Sequence, residues 1–479
     1  MQLINVKTIE NVQLICYYPE RREVKELERL AMQDLLRWKD HPRRKPLMVW
    51  GARQAGKTFL IKDQFAETYY QNHYVYIDFR LEKRIREFCA ETVDPKEIIR
   101  FLSVEKNIHI TQDTLILFDE IQECPAIITA LKYFCQNARE YPVIATGSMV
   151  RIQLWRLSHK RGKGKQESHL FPVGKINELT LYPMTFEEFL LNRNPSLLES
   201  IHESWEKSQP LDPAYHELAM KQLYDYLLIG GMPEAVDVFL ETEDYRAARI
   251  IIEELYNNYL DDMELYQASP ESVMRSKAIF RHIYGELNKE NRNFRSSLIE
   301  AKTKTRDMKT PIDWLTTAHV IHQSWQLPEH ITSPLIQEND SHFRLYLHDI
   351  GMFAYESGEN ASSFLLRQEQ NTLSGIFFEN YVANEFVAKG IPLFYWKGKS
   401  FAEMEFVVES ANQIIPIDVK RGRNALNSLA KFRNHNKNDL AVKLSGNNFG
   451  YSEDRKLLTV PLYACFLLAE DLKEGRLHI

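Results

Sequence analysis

Residues 46–60 read PLMVWGARQAGKTFL, and the rest of the chain is read outward from them. Leu47 to Trp50 is a short apolar run of strand type. It leads straight into Gly51, Gly56, Lys57 and Thr58 at the spacing G-x-x-x-x-G-K-[ST], the pattern of a loop that wraps phosphates between a strand and a helix. Backbone amides from Gly51, Ala52, Arg53, Gln54, Ala55, Gly56, Lys57 and Thr58 must converge on one anion. Side chains at the two glycines would obstruct that approach. Lys57 supplies a point charge to the β- and γ-phosphates, Thr58 a hydroxyl ligand for Mg²⁺, and the following helix its positive end. The plainer alternative is a glycine-bearing turn, but the strand before and the apolar Phe59, Leu60 and Ile61 after favour nucleotide. ATP and Mg²⁺ are the expected ligands.

Downstream, strand-like runs alternate with helical ones, which argues for a parallel sheet. Tyr74 to Phe79 is a second strand, and Thr114 to Phe118 (TLILF) a third that ends in Asp119 and Glu120. Asp119 at the carboxyl end of a buried strand can hold Mg²⁺ beside Thr58, and Glu120 can polarise an attacking water. The competing account has the two acids merely starting a helix over 121–138, where negative charge meets its positive end. Pro142 to Ala145 is a fourth strand that runs into Thr146, whose hydroxyl can sense the γ-phosphate. A basic run follows, with Arg151 nearest the strand end and further cations to Lys165. Arg151 is the candidate for neutralising phosphate, although such a run also suits a solvated loop. Asn177 to Leu181 completes five strands, and Thr185 with Glu188 three residues later predicts a capped helix.

At 479 residues the chain exceeds one ordinary core, and 44% hydrophobic with 26% charged residues is a globular composition. A formal net charge of -6 gives no global attraction to nucleic acid, so contact with DNA would need local basic patches. The five cysteines lack the C-x-x-C pairs of a zinc or redox site. With no signal-peptide pattern and no run of membrane-span length, a cytoplasmic protein without membrane contact is expected.

Taken together, GARQAGKT, LILFDEIQECP, ATGS, FPVGKINELTLYPMTFEEFL, LLIGGMPEAV and FFENYV resemble the prokaryotic AAA-type P-loop ATPases. These carry a C-terminal domain of unknown function related to restriction-endonuclease folds. The resemblance implies an α/β fold with a parallel sheet in the order 5-1-4-3-2. It also implies a helical lid, a winged-helix module and a nuclease-like α/β end. The corresponding divisions are a helical lead-in over 1–45, an ATPase core over 46–195, a lid over 196–270, a winged-helix-like part over 271–350 and a nuclease-like part over 351–479.

Within the lid, Tyr224 to Leu228 followed by Gly230, Gly231 and Pro233 reads as a helix stop, tight turn and new helix. Farther on, helices over 279–287 and 312–320 precede the strand Phe343 to Leu347, and Lys302, Lys304, Arg306 and Lys309 could touch phosphates. In the last part, Glu379 lies on an amphipathic helix, 394–396 and 405–408 form a hairpin-like pair, and Ile414 to Lys420 is a strand. Glu405, Asp418 and Lys420 are similar to the D…(D/E)-x-K pattern of the nuclease fold, with Glu in the usual Asp position. Carboxylates converging there could bind Mg²⁺, with Lys420 orienting water. Three readings follow: an ATPase driving its C-terminal modules, an ATP-gated nuclease or DNA-binding ATPase, and an ATP-dependent scaffolding switch. A homo-oligomer is compatible with each.

Overall fold

The computed structural model describes residues 26–147, 172–267, 269–367, 372–398, 402–419 and 426–477. Arg151, with the basic run to Lys165, and Lys420 lie outside the described residues. Strands β1 (Leu47–Trp50), β2 (Tyr74–Asp78), β3 (Leu115–Asp119), β4 (Val143–Thr146) and β5 (Asn177–Thr180) form one all-parallel sheet ordered β2-β3-β4-β1-β5. Read from the other edge this is the expected 5-1-4-3-2. The fold is that of a P-loop NTPase, extended by helices and two further sheets.

Why these strands sit where they do follows from their side chains. Every position of β3 is buried, as a strand covered on both faces requires, whereas the edge strand β2 alternates. One face packs Val49 and Leu117 against Leu60 and Phe65 of the helix after the loop and Leu35 of the Ala31–Asp40 helix. The other packs Ile77, Ile116 and Phe118 against Ile98, Leu102, Ile127 and Leu131 from two further helices. The register sets Val49 opposite Thr146, and Asp78 opposite Asp119, so the strand ends gather along one edge.

The helix expected over 121–138 is split. A 3₁₀ turn, Ile121–Glu123, precedes a helix over Pro125–Asn137, because Pro125 lacks the N–H that would continue the turn and instead opens a new helix. The helix read over 279–287 is likewise two pieces, Pro270–Phe280 and Ile283–Leu287. The Thr185 and Glu188 capping box is present, and the helices Pro213–Ile229 and Pro233–Thr242 meet at the Gly230-Gly231 turn.

That turn is held from two sides. Asp349 accepts from the Gly231 amide at 2.7 Å, and the Gly231 carbonyl accepts from the Met184 amide at 2.6 Å. Gly230 sits at φ +71, which a side chain resists. A Cβ on Gly231 would come within 1.9 Å of the Met184 carbonyl oxygen.

The C-terminal half holds two sheets. One is β7-β6-β8-β9, built from β6 (Ile321–Leu327), β7 (Phe343–Leu347), β8 (Phe394–Lys397) and β9 (Glu403–Met404). The other is β10-β11-β12-β14-β13, from β10 (Phe406–Ser410), β11 (Gln413–Val419), β12 (Ala441–Ser445), β13 (Gly450–Ser452) and β14 (Leu457–Pro461). The expected 394–396 with 405–408 hairpin is therefore corrected. β8 pairs with β9, β10 pairs with β11 in the other sheet, and Glu405 stands at the bend between them. The β6–β7 ribbon does not stand alone either, since β6 also runs parallel to β8.

Candidate functional site

The loop after β1 folds back on its own cation. Lys57 is buried, and its ammonium donates to the carbonyls of Gly51 at 3.0 Å and Ala52 at 2.7 Å. Burial lowers its pKa to about 8 against the pull of Glu120 and Asp119. Gly51, at φ +141, is required by packing as well as by phosphate approach, since a Cβ there would lie 2.1 Å from the Leu181 carbonyl oxygen. The helix that follows, Phe59–Ala66, is wound in the wide π form, which is rare and concentrates at functional sites.

Asp119 and Thr58 are brought together as expected, with the Thr58 hydroxyl donating to Asp119 Oδ2 at 2.8 Å. The Tyr76 hydroxyl donates to the same oxygen at 2.9 Å. Thr146 reaches the same corner, and among the described residues its buried hydroxyl has no hydrogen-bond partner. Glu120 takes a left-handed backbone at φ +52 and is ion-paired with Arg80 at 3.1 Å, while Gln122 donates to it closely. Burial raises its pKa, and Arg80 and Gln122 oppose that.

A cavity of about 340 Å³ is lined by Lys57, Thr58, Asp119, Glu120, Pro233 and Glu234 among others. A neighbouring one of about 480 Å³ shares Gly56, Phe59, Pro233 and Glu234 and adds Leu27, Arg29, Leu60 and Asp237. These residues fit a magnesium nucleotide. Mg²⁺ is commonly held by one or two protein oxygens plus phosphate, which is what Thr58 and Asp119 offer.

Several supporting residues were not singled out in the sequence. Arg29 is buried and donates to Ala55 O at 3.0 Å, Tyr182 O at 2.8 Å and Glu188 at 3.0 Å. Glu188 therefore does more than cap its helix. Arg53 is paired with buried Asp262 of the Tyr245–Tyr266 helix, and the Tyr259 hydroxyl of that helix donates to Arg53 O at 2.6 Å. The 262–266 stretch also reaches Arg80, whose guanidinium donates to the Tyr266 hydroxyl at 3.3 Å.

The second candidate centre is arranged differently. Glu379, buried on the Thr372–Ala388 helix, accepts from Arg344 at 2.9 Å and the Tyr346 hydroxyl at 2.7 Å, and closely from Arg292. Burial raises its pKa, but the two guanidiniums overcome this and hold it below the usual value. Arg292 also stands 3.9 Å from Glu405, which accepts from the Val419 amide at 3.2 Å. Asp418 is buried on β11 opposite Lys443 of β12. Glu379 and Glu405 are thus brought together, but around an arginine. Among the described residues no group of three or more His, Cys, Asp or Glu could hold a metal ion. The guanidinium of Arg292 stands between Glu379 and Glu405.

Comparison with known proteins bears on the first centre. Residues 43–190 match the family described as AAA domain. The AAA match covers the loop, Asp119, Glu120, Thr146 and the start of the capped helix. Residues 220–363 and 374–463 match two domains of unknown function, DUF8612 and DUF4143. A solved Walker-type ATPase of Pyrococcus abyssi is similar at 17% identity and a TM-score of 0.42, over 71% of this chain and 99% of that one. No curated protein matches. Among the described residues, no helix is long and apolar enough to cross a membrane.

Proposed function

We propose that the chain binds and hydrolyses ATP with Mg²⁺ at the β1 loop. The observation that carries the reading is the convergence of Lys57, Thr58, Asp119 and Glu120 on one cavity in a P-loop sheet, with Thr146 beside Thr58 and Asp119 in an adjoining recess. Lys57 and the amides of residues 51–58 bind phosphate, with the ammonium exchanging two loop carbonyls for phosphate oxygens. Thr58 and Asp119 would hold Mg²⁺, which would supply neutralising charge to the phosphate chain. Glu120 accepts a proton from water once Arg80 yields it, and Thr146 reads the γ-phosphate. The base lies in the neighbouring cavity between residues 27–29 and the Pro233–Thr242 helix.

The divisions at 45, 195, 270 and 350 remain part of this proposal, as does movement of the 196–270 helices with nucleotide state. Such movement would reach the C-terminal part through Asp349, which touches the turn that carries Pro233 to the cavity. The cytoplasm, DNA and a second copy of the chain belong to the same reading as compartment and partners. The decisive variant is Glu120→Gln. It should bind ATP as the unmodified protein does, and turn it over roughly a hundred- to ten-thousand-fold more slowly. Unchanged turnover in that variant rejects the assignment.

A further inference from the structure

The cavity beside the phosphate loop has an apolar floor and an acidic wall. Leu27, Phe59, Leu60 and Pro233 form the apolar part, a fit for a flat ring. Arg29 also borders it, but its guanidinium is committed to Ala55, Tyr182 and Glu188. Glu26 at the rim accepts from Gln64 at 3.4 Å. That leaves Glu234 and Asp237, which stand three apart on one face of the Pro233–Thr242 helix. Among the described residues neither has a hydrogen-bond or ion-pair partner, and the charged neighbours of Asp237 are the acids Glu241 and Glu234.

Resting on the nucleotide reading above, we infer that this wall selects the base, with Asp237 and Glu234 accepting from the amino group of a 6-aminopurine. An ionised carboxylate only accepts hydrogen bonds. Adenine presents N–H donors at its 6-position, whereas hypoxanthine and guanine present a carbonyl oxygen there. A 6-oxopurine keeps N1–H for one carboxylate but sets its 6-oxygen against the other, and that pair would lose hydration without exchange. The phosphate end cannot make this distinction, because Lys57, Thr58 and the loop amides meet groups common to every nucleotide. Discrimination is therefore assigned to the Pro233–Thr242 helix rather than to the loop.

The test is calorimetric binding of diphosphates, which are not turned over, to the full chain with Mg²⁺. ADP is expected to bind at least about tenfold more tightly than IDP, and purine riboside diphosphate, lacking any 6-substituent, to fall between them. Asp237→Asn, which adds a donor at the same size, should bring the ADP to IDP ratio to within about threefold, chiefly by improving IDP. Glu234→Gln, at an exposed position, serves as the second variant should Asp237→Asn not fold. Equal binding of ADP and IDP by the unmodified protein overturns this inference and leaves the nucleotide site standing. A ratio unchanged in both variants does the same. Binding of neither diphosphate sinks the site itself.

Discussion

Glu385 shows how a buried carboxyl stores a pH response. It lies on the Thr372–Ala388 helix, fully enclosed, accepts from the Phe186 amide at 2.9 Å, and has its other oxygen unpartnered among the described residues. Burial raises its pKa to about 8, with Lys389 opposing. Between the unfolded value, about 4.5, and about 8 the folded chain keeps a proton that the unfolded chain releases. Stability from this group is thus complete below about pH 4.5 and is lost as pH rises through about 8. Asp349 and Glu356, raised by burial to about 6 and about 8, act in the same direction. Buried His322 and His348, lowered to about 3, act in the opposite sense below about pH 6.5 but equally in both proteins, so between pH 5 and pH 8 the urea midpoint of Glu385→Gln, which keeps the acceptor, should lose less than that of the unmodified protein. Parallel slopes for the two proteins would remove Glu385 from the account. The phosphate-loop pattern was readable because its spacing along the chain is itself the proposed chemistry: 51, 56, 57 and 58 fall in one loop. Arg29 was not, because its partner Glu188 stands 159 positions away and nothing local to either marks the pair.

Among elements, the turn between the Pro213–Ile229 and Pro233–Thr242 helices carries the most consequence per residue. Replacing Gly231 by Ala would drive a methyl into the Met184 carbonyl and push the chain off Asp349, at a cost of about 3 kcal/mol. Gly285→Ala is the control. A Cβ there meets nothing within 4 Å, so stability should hold or rise by up to about 1 kcal/mol in its helix. Denaturant unfolding measures both, and equal shifts would show that the close approach is not what fixes Gly231. The turn itself was legible as helix stop, glycines and proline. Its engagement with Asp349 was not, since the contact joins positions 118 apart. Pattern also misread the region around 394–408. Two apolar runs with a short gap look like one hairpin, and only the bend at Glu405 sends the second run into another sheet.

On the scale of the molecule, the two candidate centres part company. The first gathers oxygens with Arg53 and Lys57 around a cavity, while in the second Arg292 and Arg344 close on Glu379. Supercoiled plasmid incubated with the protein, Mg²⁺ and ATP should therefore stay intact, and Asp418→Ala should behave identically. Nicking that the Asp418 variant abolishes would restore the nuclease reading. The sequence pattern singled out the acids at 379, 405 and 418 but could not reveal Arg292, which reaches Glu379 from a segment more than eighty residues upstream.

The ladder around β6 has an implication of its own. β6 borrows β7 on one flank and β8 on the other, so the polypeptide from 348 to 393 is an excursion that leaves one sheet and returns to it. Trimming the gene after residue 350 would leave the Trp325–Leu327 end of β6 without its β8 partner, an invitation to sticky, self-associating product. A division at 350 is then a change of role along the chain, with one sheet shared across it.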